Sequence, residues 1–70
     1  MNLGNKIINR REELKLTQQE LAERSKLSQG YISKVEKGLF IPKATTLIVL
    51  ALSLELPCNA LLEYEERRTG

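Results

Sequence analysis

The stretch QQELAERSKLSQGYISKVEK, at residues 18–37, predicts two short helices joined by a tight turn. A capping box begins the first helix, because the Thr17 hydroxyl can accept from the backbone N–H of Glu20 while the Glu20 side chain reaches back to Thr17. The first helix, from Gln18 to about Ser25, is too short to persist without packing. The rest of the chain must therefore supply a core for the pair.

The second helix of this stretch, over residues 29–37, has two unlike faces. Ser28 can cap its start, and Gly38 can close its end. Ile32 and Val35 point inward, toward the core. The outward face is polar and basic, with Gln29, Gly30, Ser33, Lys34 and Lys37.

Apolar spacing on both sides of the stretch predicts the remaining helices. Residues 3–14 place apolar side chains at helical spacing, with the charge of Arg11 inside that stripe. Residues 43–54 predict a fourth helix that is apolar nearly all round. Pro57 can begin a fifth helix, which runs through Leu61, Leu62 and Tyr64.

Length and composition indicate one small all-α domain of five short helices, over residues 1–64, followed by a charged tail at residues 65–70. The chain has 70 residues, of which 41% are hydrophobic, and few of these are aromatic. Seventy residues lie near the lower limit for a self-sufficient core. No apolar run of membrane-spanning length and no secretory signal is present. We therefore expect a cytoplasmic protein without a membrane partner.

Histidine is absent and Cys58 is the single cysteine. An internal disulfide and an ordinary zinc site are therefore excluded, and we expect no metal and no cofactor. We expect Cys58 to be a small, buried or half-buried apolar residue rather than a redox sensor. No nucleophile–base pair or phosphate-cradling glycine loop is recognisable, so we do not expect an enzyme.

Positive charge is concentrated in the first part of the chain. Residues 1–43 carry nine Lys or Arg and five Glu, a net charge of +4, whereas residues 44–70 carry two Arg and four Glu, a net charge of −2. A polyanion is a permitted partner of the basic part.

Two short helices with a tight turn, packed on a helical core, form the unit that places a helix in the major groove of DNA. The two helices cross closely, which requires a small residue such as Ala22 at the contact. Gln29 can read adenine with a paired contact, and Lys34 can reach guanine acceptors. Double-stranded DNA is therefore the predicted partner.

The chain resembles the Cro/CI-type helix-turn-helix domains over roughly residues 3–62. The matching segments are LTQQELA, LSQGYISKVEKG, and IP followed by TLIVLALSLEL. The resemblance implies sequence-specific DNA binding by a transcriptional regulator, most simply a repressor. It implies base contacts from Gln29, Gly30, Ser33 and Lys34.

The resemblance also implies contacts outside the bases. Phosphate contacts are expected from Thr17, Gln18, Tyr31, Lys37 and Lys43. It implies an ion pair between Arg11 and Glu36, which accounts for the charge on the apolar stripe. It further implies a homodimer, whose interface we expect at Val49, Leu52, Leu56, Pro57, Cys58 and Leu61.

Some features depart from the family pattern or leave alternatives open. Lys15 and Lys26 stand where glycine is common, so the turn at Lys26 either takes a left-handed conformation or opens slightly. The apolar loop at residues 39–41 either packs on the protein's own core or forms an interface. Alternative functions are a protein-interaction or antitoxin-type module on the same fold, or the DNA-binding part of a longer regulator.

Overall fold

A computed structural model describes residues 2–65 of the chain. Four α-helices are present over this range, followed by one 3-10 helix: α1 Leu3–Glu13, α2 Gln18–Ser25, α3 Gln29–Glu36, α4 Ala44–Ser53 and the 3-10 helix Leu62–Tyr64. No strand occurs among these residues, so the all-α class is confirmed. Most of the predicted charged tail, at residues 66–70, lies outside the described range. None of the described helices is long and apolar enough to span a membrane.

The prediction of a fifth α-helix beginning at Pro57 was wrong. Residues 58–61 form a turn that leads into the 3-10 helix. Its backbone hydrogen bonds join residues three apart, as from Ala60 N–H to the Pro57 carbonyl at 2.9 Å, whereas an α-helix requires a spacing of four. A segment this short forms too few bonds to offset the cost of nucleating an α-helix.

A single core of aliphatic side chains lies between the four helices. Each of its members is at most 5% exposed, and every helix contributes: Leu3, Ile7, Leu21, Ala22, Ile32, Val35, Leu47, Leu50, Ala51, Leu54 and Leu61. Ala22 is the small residue predicted at the crossing of α2 and α3. The inward positions predicted for α3, Ile32 and Val35, are each 1% exposed.

Side-chain caps begin the first three helices. The Asn2 side chain accepts from Asn5 N–H at 2.8 Å. The predicted capping box of α2 is complete, because Glu20 N–H donates to the Thr17 hydroxyl at 3.0 Å and Thr17 N–H donates to the Glu20 carboxylate at 2.8 Å. In α3 the Ser28 hydroxyl accepts from Tyr31 N–H. Helix α4 has no side-chain cap at Lys43.

All four α-helices end in the same way, with a left-handed residue followed by a leucine whose N–H bonds five residues back. The left-handed residues are Lys15, Lys26, Gly38 and Glu55, with φ between 59° and 79°. The leucines that follow them are Leu16, Leu27, Leu39 and Leu56, with N–H to carbonyl distances of 2.9–3.0 Å. Of the two outcomes expected at the turn of residue 26, the left-handed one is therefore observed.

Two arginines hold the C-terminal end of α4 against the other helices. Arg10 of α1 donates through Nε to the Leu54 carbonyl at 2.9 Å. Arg24 of α2 donates to the Ser53 carbonyl at 3.3 Å and pairs with the Glu55 carboxylate at 3.2 Å. Because the last carbonyls of a helix lack partners within it, these contacts satisfy acceptors that the helix itself cannot.

Gly4 allows α1 to approach the end of α3 closely. A Cβ atom at this position would clash with the Glu36 carbonyl oxygen and would lie 3.2 Å from that of Val35. Both are backbone atoms, which cannot move aside without shifting the helix. No residue with a side chain fits here without moving α1 away from α3.

The ion pair expected between Arg11 and Glu36 is present and joins the same two helices. Arg11 Nε lies 2.8 Å from Glu36 Oε2 and Arg11 Nη2 lies 3.2 Å from Oε1, which is a two-point contact. Arg11 Nη1 also donates to the Leu16 carbonyl at 2.8 Å. The Glu36 side chain is only 4% exposed, so its charge depends on these donors.

Alanine substitutions at Gly4 and Gly30 should change the free energy of unfolding in opposite directions. Gly4→Ala overpacks the α1–α3 contact, and we expect a loss of about 1–3 kcal/mol. Gly30 lies in a helix with no atom within 4 Å of its missing Cβ, so Gly30→Ala should raise stability by about 0.5–1 kcal/mol. Urea unfolding of both variants measures this, and a stabilised Gly4→Ala protein would contradict the close approach.

Removal of Arg11 should leave the Glu36 charge buried without its main partner. We expect Arg11→Met to lower the free energy of unfolding by about 3–5 kcal/mol. The double variant Arg11→Met with Glu36→Met is the matched control, and it should recover much of that loss because no isolated charge remains. Additive effects of the two single substitutions in urea unfolding would show that the pair is not coupled.

Candidate nucleic-acid interface

The polar face of α3 is open to solvent, opposite the buried Ile32 and Val35. Gln29, Gly30 and Lys34 are exposed, and Ser33 is half-buried. The structure therefore brings the four residues predicted to contact bases onto one side of one helix. Amide, hydroxyl and ammonium groups on such a face can donate to, or accept from, the edges of base pairs.

The Gln18 side chain does not extend freely into solvent. Its Nε2 donates to Glu36 Oε1 at 2.9 Å, the same oxygen that Arg11 Nη2 approaches. Glu36 therefore holds two side chains in place, that of Gln18 at the start of α2 and that of Arg11 on α1. The side-chain amide nitrogen of Gln18 carries two hydrogens, so one of these hydrogens and the side-chain oxygen Oε1 remain for other contacts.

The first turn of α2 presents backbone donors next to this side chain. The capping box occupies the N–H groups of Thr17 and Glu20. The N–H groups of Gln18 and Gln19 precede the first intrahelical bond, so the helix supplies no acceptor for them. Donors at the start of a helix, together with its dipole, favour an anion. Thr17 is exposed, but its hydroxyl is already engaged as the cap.

The remaining predicted phosphate contacts lie on α3 and at the two ends of the loop that follows it. Lys37 and Lys43 are both exposed, one before and one after the apolar residues 39–41. Tyr31 is half-buried, and its ring packs edge-on against Phe40, with ring centroids 5.0 Å apart. The ring contact fixes the loop to α3, and the phosphate contact of Tyr31 stays a prediction.

The residues expected at a dimer interface fall into exposed and buried groups. Val49 and Leu52 are 40% and 58% exposed on α4, and Pro57 follows them at the surface. Leu61, however, has no exposed surface, so its side chain belongs to the protomer's own core and is not available to a partner. Cys58 is exposed, and the expectation that it is buried or half-buried was wrong.

Sequence reasoning missed two contacts that build this interface. Gly4 was not singled out, although a glycine in the first turn of an amphipathic helix is a signal of close backbone approach. The bond from Gln18 to Glu36 joins residues 18 positions apart, and nothing in the local pattern indicates it.

Comparison with known proteins identifies a family model and two related proteins of a Bacillus phage. Residues 7–61 match a family model described as helix-turn-helix. The immunity repressor protein of Bacillus phage phi105 is 35% identical over 65 residues, which are 93% of this chain and 45% of the repressor. The ImmF control region 10 kDa protein of the same phage is 36% identical over 59 residues, covering 84% of this chain and 66% of that protein. The chain therefore spans about half to two thirds of the length of these two curated relatives.

Two solved structures of SinR have the same fold. One is SinR, the master regulator for biofilm formation, in complex with DNA; it has a TM-score of 0.76 and 28% identity, and the match covers 84% of this chain and 95% of that one. The other is the N-terminal DNA-binding domain of SinR from Bacillus subtilis, with a TM-score of 0.76, 27% identity and 94% of each chain covered. The fold, the polar α3 face and these matches agree, and the chain belongs to the helix-turn-helix family.

Proposed function

We propose that this chain is a cytoplasmic, sequence-specific DNA-binding domain of a transcriptional repressor, with no catalytic activity of its own. The observation that carries the proposal is the two-faced α3, with Ile32 and Val35 buried while Gln29 and Lys34 are exposed. The similarity to a phage immunity repressor and to SinR in complex with DNA supports it.

In the proposed complex, α3 enters the major groove and presents Gln29, Gly30, Ser33 and Lys34 to the bases. Gln29 pairs with an adenine edge and Lys34 with guanine acceptors. Gly30 has no side chain, so a thymine methyl can approach the helix backbone at this position. Base readout then rests mainly on Gln29 and Lys34.

Phosphates on either side of the groove position α3. The N–H groups at the start of α2 and the remaining amide hydrogen of Gln18 bind one phosphate, while Glu36 holds the Gln18 side chain in place. Lys37 and Lys43 bind phosphates on the other side of the groove. Phosphate contacts fix the register of a protein on DNA, whereas base contacts determine its specificity.

Fluorescence anisotropy with labelled duplexes should separate phosphate contacts from base contacts when the affinity is measured at several salt concentrations and for two lysine variants. Affinity should fall steeply with salt, with a log–log slope of about −0.9 for each neutralised phosphate. Lys34→Ala should lose about 1–3 kcal/mol of discrimination at one base position. Lys37→Ala should weaken all duplexes alike and reduce the slope by about 1.

Lys6→Ala on α1 is the matched control, because it removes the same charge outside the proposed interface. It should leave the base preference intact. A folded protein that binds no duplex even at low salt would contradict the proposal and favour a protein-interaction or antitoxin-type module.

We further propose that the chain binds DNA as a homodimer through α4 and the segment after it. Val49 and Leu52 supply exposed apolar surface on α4. In the segment that follows α4, Pro57 and Cys58 are exposed and Leu56 is half-buried. A single module makes few base contacts, so pairing two modules on a two-fold site strengthens specific binding. The two α3 helices should then lie about 34 Å apart, one turn of DNA.

The dimer predicts a preference for spaced half-sites. Once a preferred sequence has been selected from a random pool, two copies at a spacing of about 10 base pairs should bind more tightly than copies at about 15. Leu52→Ser should abolish this preference and leave binding to one half-site unchanged, because it disrupts the interface away from α3. Binding by the wild type that does not depend on spacing would contradict the α4 dimer.

A second candidate is that this domain forms the DNA-binding part of a longer regulator. The observation that favours it is the coverage of only 45% of the phi105 immunity repressor. The DNA-binding role is the same in both cases. They differ in whether further residues supply the dimer contacts.

A further inference from the structure

The loop between α3 and α4 carries exposed apolar surface that is not part of the proposed DNA interface. Leu39, Phe40 and Ile41 are 66%, 37% and 47% exposed. We call these three residues the loop patch. Phe40 is fixed by its ring contact with Tyr31, so the patch is held on α3 rather than being free to fold inward.

Leu39 differs from the three other leucines that follow a helix end. Leu16, Leu27 and Leu56 occupy the same position after α1, α2 and α4, and each is half-buried. The leucine at this position of a helix end commonly folds back on the preceding turn. Leu39 instead projects into solvent, as a single apolar knob on the patch.

An apolar groove lies beside this knob. It has a volume of about 220 Å³, and the residues that line it are Asn2, Leu3, Gly4, Val35, Gly38, Phe40, Ile41 and Tyr64. A cavity of about 150 Å³ accommodates a benzene-sized group, so the groove can receive one large aliphatic side chain. The patch thus places a knob and a matching hole side by side.

Charges around the patch are also complementary to each other. Lys37 and Lys43 stand at the two ends of the loop, and Glu63 and Glu65 flank Tyr64 at the groove. The two lysines and the two glutamates are opposite in charge, so a second copy that docks its loop at this groove meets charges of the opposite sign.

We infer that the loop patch is a self-association surface, on which a second copy of this chain docks with its Leu39 in the groove. Such a contact is two-fold symmetric, because the knob of each copy enters the groove of the other. It is separate from the proposed α4 interface, so it can join two dimers in the free protein. Because Lys37 and Lys43 bind phosphates in the proposed DNA complex, self-association and DNA binding compete for these two lysines.

The test uses free protein without DNA in a Leu52→Ser background, which removes the proposed α4 contact. Sedimentation equilibrium should still detect concentration-dependent association. Adding Leu39→Ser should raise the dissociation constant about tenfold, because a buried apolar side chain is lost from the contact. Reversing Glu63 and Glu65 to lysine should also weaken association. An unchanged melting temperature for Leu39→Ser, an exposed position, shows that folding is intact.

NMR spectra recorded at increasing protein concentration locate the contact. Amide shifts that move at Ile41 and Tyr64 support the inference. A Leu52→Ser protein that stays monomeric at millimolar concentration would overturn it, as would association that Leu39→Ser leaves unchanged. Loss of affinity for a single half-site in Leu39→Ser, without any change in self-association, would also overturn it and assign the patch to DNA.

Discussion

The carboxylate of Glu36 is the point on which the arrangement of the first three helices depends. It lies at the end of α3, nearly inaccessible to solvent, and accepts from Arg11 of α1 and Gln18 of α2. A buried carboxylate is costly unless its oxygens are satisfied, so the three donors and their helices are held in one arrangement. Gly4 adds to this by letting α1 rest against the Glu36 backbone.

This constraint accounts for how an eight-residue helix can serve as a rigid reading element. Helix α3 is too short to be stable alone, and the residues of its outward face are not apolar, so that face cannot stabilise it by packing. Its two inward side chains and the Glu36 contacts hold it from one side only. The side chains of Gln29 and Lys34 on the polar face therefore remain exposed to a ligand, and the start of α2 is held next to this helix by the Gln18–Glu36 hydrogen bond.

Much of this organisation could be predicted from local pattern. The caps at Thr17 and Ser28, the inward positions Ile32 and Val35 and the small contact residue Ala22 follow from helical spacing and hydrogen-bonding chemistry. The Arg11–Glu36 pair followed from family resemblance, because nothing local joins residues so far apart. Gly4 in the first turn of α1 gave a local signal of close approach that was missed, but its partner, the end of α3, could not be predicted from local pattern. The prediction of a fifth α-helix failed because Pro57 is compatible with a helix start but cannot supply the hydrogen bonds of a longer segment. The prediction of Leu61 at the dimer interface failed because its burial in the core results from packing that only the fold reveals.

The central claim is that the open side of α3 and the start of α2 together form the surface that meets DNA. Amide chemical-shift mapping with a short duplex at low salt tests it most directly. The account predicts that the largest changes fall on residues 18 and 19 and on the solvent side of α3, around Gln29 and Lys34. Changes confined to α1 around Lys6 and Glu13, with α3 unaffected, would contradict it.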